Sequence, residues 1–379
     1  MVIFLPNQIK RALQYIIVML FLLLSPISAI GNENNLRLLV WEGYTPKEYV
    51  QEFEKEIEAA YGRRVKVDIS YAESSDDFFD AIRSNKVDIV TISHHTIKDA
   101  RFNFIVKKLI LPFTLKNIPN HTNVIPDLKM ADYHVSNGEV YGIPVANGPY
   151  GLAYNTAVFK QAPKSWKIFW NPSYKNKYVI GAHEYLYNIN ITALAQGYPK
   201  SSISSFDILN NKEFKEKLKQ LIVNAHSLWV GVDKPEDLLG MSFATSWGDS
   251  LSSLKRRGEI WKMAEPEEGT MWWIDEYALT HALAKKPFIK KVAEAWINKS
   301  LSPEFQVDHL VREVGIYPVV TNITDKLTTN EKNRIKINNM PGAFTDKRIL
   351  QTTYSQRDRN GLKLLWDKAM KEVFITGKD

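Results

Sequence analysis

At 379 residues the chain is longer than one hydrophobic core usually organises, so two α/β units are expected. Its 45% hydrophobic and 24% charged residues are ordinary for a globular protein, and no low-complexity tract or internal repeat is present. The absence of cysteine excludes disulfides, thiolate metal sites, cysteine nucleophiles and a lipid anchor on cysteine, and the net charge of +7 is scattered rather than blocked, which argues against a nucleic-acid-binding stripe.

The first segment has the pattern of a signal peptide. Lys10 and Arg11 precede an apolar run from about Ala12 to Leu24, and small residues follow at Ser25, Ser28, Ala29 and Gly31. Cleavage is expected after Ala29 or Gly31. The competing reading is an uncleaved anchor, but a span needs ~20 apolar residues. Lys10 and Arg11 leave with residues 1–31, which takes the charge from +7 to +5.

Leu36–Val40 reads as a short strand ending at Trp41. Thr45, Pro46 and Glu48 then form a helix-start signature, with Thr45 as cap and Glu48 completing a capping box. Val50, Phe53, Ile57 and Ala60 recur at helical spacing up to Gly62. Val65, Val67 and Ile69 alternate as a second strand. Ser74 and Ser75 lead into a helix around Asp76–Ser84, and Val87–Ile92 is the third strand. The order βαβαβ predicts a parallel, doubly wound sheet, whose ligands bind beyond the carboxyl ends of the strands. Those ends are Trp41–Tyr44 and Ser93–His95.

The stretch from Tyr150 to about Glu276 reads as a second lobe, with a helix around Asn190–Gln196. In Thr270–Glu276, an extended chain puts Trp273 and Asp275 on one face and Trp272, Ile274 and Glu276 on the other. Helices are predicted over Pro287–Asn298, Pro303–Val314 and Gly361–Phe374.

Catalytic signatures are missing: there is no nucleophile elbow, phosphate loop, dinucleotide fingerprint or zinc-protease helix. The adjacent His94 and His95, with His183 as a third candidate, make a weak metal set, because neighbours on an extended chain point to opposite sides. Most of the 10 tryptophans stand beside polar or acidic residues. That pairing suits a flexible alkyl amine. Aromatic faces cover methylenes and attract ammonium groups, at ~0.5–2 kcal/mol per contact. Carboxylates balance the buried charge.

Trp41-Glu42-Gly43-Tyr44-Thr45-Pro46, Val87-Asp88-Ile89-Val90, Tyr141-Gly142-Ile143-Pro144, the Ser165–Lys177 segment and Trp272-Trp273-Ile274-Asp275 together resemble the periplasmic spermidine/putrescine-binding proteins of ABC importers. The resemblance runs from about Arg37 to Ala369. It implies an α/β, two-lobed periplasmic binding protein fold of type II, each lobe a mostly parallel sheet flanked by helices, with a hinge between them. Lobe 1 would comprise 32–148 and 277–323, and lobe 2 149–276 and 324–379. By position, the resemblance makes Trp41, Tyr44, Ser93, His95, Trp247, Trp273, Asp275, Tyr317 and Gln356 ligand contacts. Glu184 matches the first of two acids that the family usually carries one helical turn apart, and Tyr187 stands where the second would be. A tyrosine supplies no full negative charge at neutral pH. Glu42, Asp249 or Glu276 are the candidates to compensate, and a diamine, an acetylated polyamine or another amine is as credible as spermidine.

The implied mechanism is hinge closure on a small-molecule ligand by a monomer without a cofactor, followed by docking on an inner-membrane ABC permease or, alternatively, a membrane sensor. The alternatives are other ligands: ferric iron, an amino acid derivative or an organophosphonate. Ferric iron would call on Tyr185 and Tyr187, and an anion would want Arg or Lys at the matched positions, which lack them.

Overall fold

A computed structural model describes residues 34–248, 250–335 and 347–375. The expected signal peptide, 1–31, and Asp249 lie outside the described residues. Among the described residues no helix is long and apolar enough to cross a membrane.

The N-terminal βαβαβ unit forms as its periodicity predicts. Strand β1 (Asn35–Val40), helix α1 (Lys47–Tyr61), strand β2 (Lys66–Tyr71), helix α2 (Ser75–Arg83) and strand β3 (Ile89–Ser93) follow one another. β1 pairs in parallel with both β2 and β3. α1 buries Val50, Phe53 and Ile57, worth about 1.5–3 kcal/mol each. Gly62 ends it in the left-handed region, its N–H donating to the Glu58 carbonyl. The start differs from expectation. Pro46 is still extended at ψ 135° and serves as the cap position, so Glu48 falls one residue short of the box geometry and no side chain caps the helix. The capping box appears on α2 instead, between Ser74 and Asp77. β3 begins two residues later than predicted. The Asp88 carboxylate is taken up by Arg37, at 2.9 Å from Nε and 2.8 Å from the outer guanidinium nitrogen.

Two long, wholly buried strands organise the rest: β4 (Ile143–Asn155) and, later in the chain, Thr270–Thr280. Between them come β5 (Tyr178–Gly181), α3 (Tyr185–Ala195), α4 (Lys212–Asn224), β6 (Ser227–Trp229), β7 (Phe243–Ser246) and β8 (Trp261–Met263). Thr270–Thr280 is β9. It is followed by α5 (Pro287–Ser300), a π-helical stretch over Phe305–Val314, β10 (Arg348–Leu350) and α6 (Gln356–Ile375). The sheet runs β2-β1-β3-β9-β4-β7-β5-β6. Parallel blocks stand at its two ends (β2-β1-β3 and β7-β5-β6), and antiparallel β9 and β4 join them. The two parallel blocks are the mostly parallel sheets expected of a two-lobed type II binding fold, and the shared strands join them into one hydrogen-bonded path. β4 pairs with β9 through its first part and with β7 and β8 through its last, so the same strand serves both blocks.

The last helix starts at Gln356 rather than Gly361. Ser355 and Asp358 provide the start, with the Ser355 hydroxyl donating to the Asp358 carboxylate at 2.6 Å and accepting from its N–H at 3.0 Å. Gly361 is interior, where glycine costs about 1 kcal/mol relative to alanine. It is tolerated because a Cβ there would fall inside the ring of Phe206. Gly361→Ala is therefore expected to lower the unfolding free energy by about 1–3 kcal/mol despite its better helix propensity. Urea titration checks this; a stabilised variant would contradict the close approach.

Candidate functional site

The cleft between the sheet and the starts of α2, α3 and α6 holds a cavity of about 460 Å³. Five places in the chain bring the residues expected from the sequence to its walls. The turn after β1 brings Trp41 and Tyr44, with Gly43 at φ +99° allowing the chain to reverse there. The end of β3 brings Ser93 and His95, and the start of α3 brings Glu184 and Tyr187. Trp247 follows β7, and Trp273 and Asp275 project from β9. Thus nine of the eleven residues named from the resemblance meet in one cavity.

The register along β9 explains the Trp-x-Asp pair. Trp273 and Asp275 face the cavity, whereas Trp272 and Glu276 point the other way, as alternation requires. A bulge interrupts the β9–β4 register at Asp275/Glu276, where Asp275 pairs with Ala146 and Glu276 with Pro144. Pro144 has no N–H to give the ladder, and bulges of this kind re-aim side chains next to sites.

Asp275 is the best-defined group of the site. It is 7% exposed. The Tyr44 hydroxyl donates to one carboxylate oxygen at 2.8 Å and the Ser93 hydroxyl to the other at 3.0 Å. Burial nevertheless pushes its pKa up to about 6, against the lowering by those two bonds. Among the described residues no Lys, Arg or His lies within salt-bridge distance of it. Glu184 occupies the cap position of α3 without capping it. Burial, and then the Asp275 charge, push its pKa up to about 8. Two carboxylates thus lie near each other in a partly dry site, neither paired with a cation among the described residues, an arrangement that favours an arriving ammonium group.

Aromatic rings enclose this acidic pole. Trp247 packs on Tyr150 at 4.7 Å between ring centroids, on Tyr187 at 5.2 Å and on Trp273 at 6.2 Å. The backbone N–H of Trp247 donates to buried Asp233 at 2.8 Å, which fixes the wall. Gly148 lies opposite Trp273 on the neighbouring strand, and a Cβ there would come within 2.7 Å of the indole, so only glycine admits the ring. Trp41 stands on Phe78 at 4.8 Å, edge to face.

Two predicted contacts are not brought to the cavity. Tyr317 pairs with Asn147 through the backbone and packs edge-on against Trp272 at 5.2 Å, on the far face of β9; its neighbour Ile316 lines the cavity instead. Gln356 is the exposed first residue of α6. From that helix Arg359, Lys363, Trp366 and Asp367 reach the cavity, at helical spacing, and Gln351 reaches it from the preceding loop. Of the candidate compensating acids, Glu42 lines the cavity. Glu276 is buried behind the sheet against His134.

The positions matched from the resemblance hold no Arg or Lys, but other segments bring Arg101, Arg359 and Lys363 to the cavity. Arg101 pairs with Asp76 at 3.0 Å, and Arg359 pairs with buried Asp99. No periodic pattern marks Arg101, which follows a short 3-10 turn (His94–Thr96). That turn also changes the histidine geometry. His94 and His95 are both buried, ring against ring at 5.3 Å, and burial lowers the pKa of each, so they are neutral near pH 7. His94 bonds the Gln351 carbonyl at 2.9 Å. Among the described residues no group of three or more potential ligands is arranged to hold a metal ion.

Comparison with known proteins places these features in context. The family model described as bacterial extracellular solute-binding protein matches residues 84–349. The spermidine/putrescine-binding periplasmic protein of Salmonella typhimurium is 24% identical over 314 residues, which cover 79% of this chain and 82% of that protein. A solved Listeria monocytogenes structure assigned to spermidine/putrescine ABC transport superposes with a TM-score of 0.73 at 18% identity, covering 89% of this chain and 99% of that one. The spermidine/putrescine ABC transporter substrate-binding protein of Streptococcus pneumoniae gives 0.70 at 17% identity, over 90% and 99% of the two chains. At these identities the structural likeness is one of fold.

Proposed function

This chain belongs to the bacterial extracellular solute-binding proteins, and from that premise we propose that it captures a small organic amine of the polyamine type for an ABC importer. The observation that carries the proposal is Asp275: a buried carboxylate, hydrogen-bonded by Tyr44 and Ser93, walled by tryptophan, and paired with no cation among the described residues. An ammonium group fits there because it replaces the missing countercharge, while Trp247, Trp273 and Tyr187 cover the methylenes. The functions that the Salmonella and Streptococcus relatives carry in their names agree with this chemistry.

The chain works as a binder rather than a catalyst. Residues 32–148 with 277–323 and residues 149–276 with 324–379 act as two lobes, and β4 and β9 serve as the flexing connections. Ligand contacts come from both lobes (Tyr44 and Ser93 from one, Glu184 and Trp247 from the other), so binding favours the closed form, which docks on an inner-membrane permease. The protein is exported by residues 1–31 and acts in the periplasm as a monomer.

The test is calorimetry on the mature chain with putrescine, spermidine, norspermidine, acetylated polyamines and ferric iron. An amine is expected to bind more tightly as pH rises from 5 to 8. The sign follows from the raised pKa values. The free protein holds protons on Asp275 up to about 6 and on Glu184 up to about 8, and an ammonium group selects the ionised forms. Near pH 7, buffers of different ionisation enthalpy should reveal release of up to about one proton, mainly from Glu184. Binding of ferric iron alone, or amine affinity that falls over this range, would overturn the proposal.

A further inference from the structure

The turn that brings Trp41 and Tyr44 to the cavity is held from outside itself. Within it, the Tyr44 N–H reaches the Trp41 carbonyl at 3.5 Å, longer than the usual ~2.7–3.2 Å. His309 Nε2, by contrast, lies 2.6 Å from the Gly43 carbonyl oxygen. A carbonyl only accepts, so the imidazole donates. We propose, resting on the amine reading above, that His309 is a positioning residue for the ligand: through the Gly43 carbonyl it sets the turn so that the Tyr44 hydroxyl meets Asp275.

Three observations carry this. First, the winding of the segment that bears His309 serves this contact. His309 and Val314 stand five residues apart, and at 3.6 residues per turn an α-helix would point them about 140° from each other. The Phe305–Val314 stretch is π-helical, and its i→i+5 bonding turns them toward a common side. The Gly315 N–H continues that spacing, donating to the Leu310 carbonyl at 2.8 Å. Both side chains accordingly meet Gly43: His309 at its carbonyl, and Val314 beside its Cα, where an added Cβ would lie 3.8 Å from a valine methyl. Such π-helical turns are rare and occur often at functional sites. Second, the imidazole is fixed in place. His309 is buried, packs on Phe305 at 5.2 Å and on Tyr49 at 6.0 Å between ring centroids, and presents Nδ1 to exposed Glu313 at 2.8 Å. Arg334 anchors the end of the stretch by donating to the carbonyls of Val311 and Gly315. Third, the contact falls one residue from the acidic pole. Gly43 stands between Glu42 and Tyr44, which both line the cavity, and Tyr44 donates to Asp275 at 2.8 Å. Gly43 has no side chain, so its carbonyl is the handle by which a neighbour sets the angle of Tyr44.

The experiment compares His309→Gln with His309→Asn in the mature chain, each with and without Tyr44→Phe. The glutamine amide nitrogen reaches the place of Nε2 and can donate to the Gly43 carbonyl, whereas the shorter asparagine falls short of it. Calorimetry with putrescine and spermidine gives binding. Hydrogen exchange of residues 41–45 in the unliganded chain reports the turn without any ligand. His309→Asn is expected to weaken amine binding about tenfold and to speed exchange in the turn by a similar factor. His309→Gln should restore both to within about twofold of the unaltered chain. In the Tyr44→Phe background the asparagine change should cost less than about twofold, because the bond it acts through is already gone. An asparagine variant that binds and exchanges like the unaltered chain overturns the proposal. So does a glutamine variant as weak as the asparagine one, or a loss undiminished by Tyr44→Phe, since either makes His309 a packing residue. A urea titration accompanies each variant, and an asparagine variant that does not fold counts against the proposal in the same way. None of these outcomes touches the amine reading, which Asp275→Asn decides. If neither amine binds the unaltered chain, the amine reading rests on the remainder of its panel, while exchange in the turn still decides whether His309 sets it.

Discussion

Asp275→Asn is expected to cost amine binding about 2–5 kcal/mol, a loss of roughly 30-fold or more, without destabilising the fold. The two effects separate because the carboxylate's charge is a liability until the ligand arrives. In the free protein burial raises its pKa from 3.8 to about 6. A carboxylate with a raised pKa contributes stability that is complete below its unfolded pKa and is lost as pH rises through the folded one. Stability of the unliganded chain should therefore decline between about pH 4 and 6 on account of Asp275, and the asparagine variant should lack that part of the decline. The substituted amide can still accept from the Tyr44 hydroxyl and donate to the Ser93 oxygen, so the local bonds survive. What it cannot do is balance an ammonium group. Calorimetry gives the binding loss, and urea titrations at pH 4, 6 and 7.5 give the stability profile. A variant that binds amines as before would remove Asp275 from the site. One that unfolds would make it a structural residue.

Arg359→Leu is expected to have the largest effect on stability, about 3–5 kcal/mol, because it leaves Asp99 buried and uncompensated. Asp99 is 1% exposed and also accepts the backbone N–H of Arg101 at 2.8 Å. The pair ties α6 to the loop after β3, and the segment before α6 is held to the same region by the bond of His94 with the Gln351 carbonyl at 2.9 Å. Neutralising the partner as well, in Arg359→Leu with Asp99→Asn, should restore most of the loss, since the penalty lies in the stranded charge rather than in the missing contact. Urea unfolding of both variants measures this. Equal destabilisation by the single and double changes would assign the effect to packing of the arginine stem instead.

What the sequence made legible follows from periodicity. Alternation along Thr270–Glu276 separates Trp273 and Asp275 from Trp272 and Glu276, and β9 keeps that division. The βαβαβ order puts Trp41, Tyr44, Ser93 and His95 at strand ends, where the parallel block opens onto the cavity. Loops carry no such pattern. Tyr317 goes to the far face because its backbone pairs with Asn147, a constraint set by a strand 170 residues earlier. Gln356 misses the cavity because the Ser355–Asp358 box begins the last helix well before Gly361, and Gly361 marks a close approach to Phe206 rather than a boundary. Arg359 and Asp99 meet across 260 residues, with nothing local in either segment to announce it.

The central claim is that the carboxylate of Asp275 receives an ammonium group between the indoles of Trp247 and Trp273. A crystal structure with the tightest-binding amine of the panel tests it most directly. The account predicts a ligand nitrogen within about 3.2 Å of an Asp275 oxygen, with methylenes against those rings. An amine seated elsewhere, with Asp275 still bonded to Tyr44 and Ser93 alone, would contradict it.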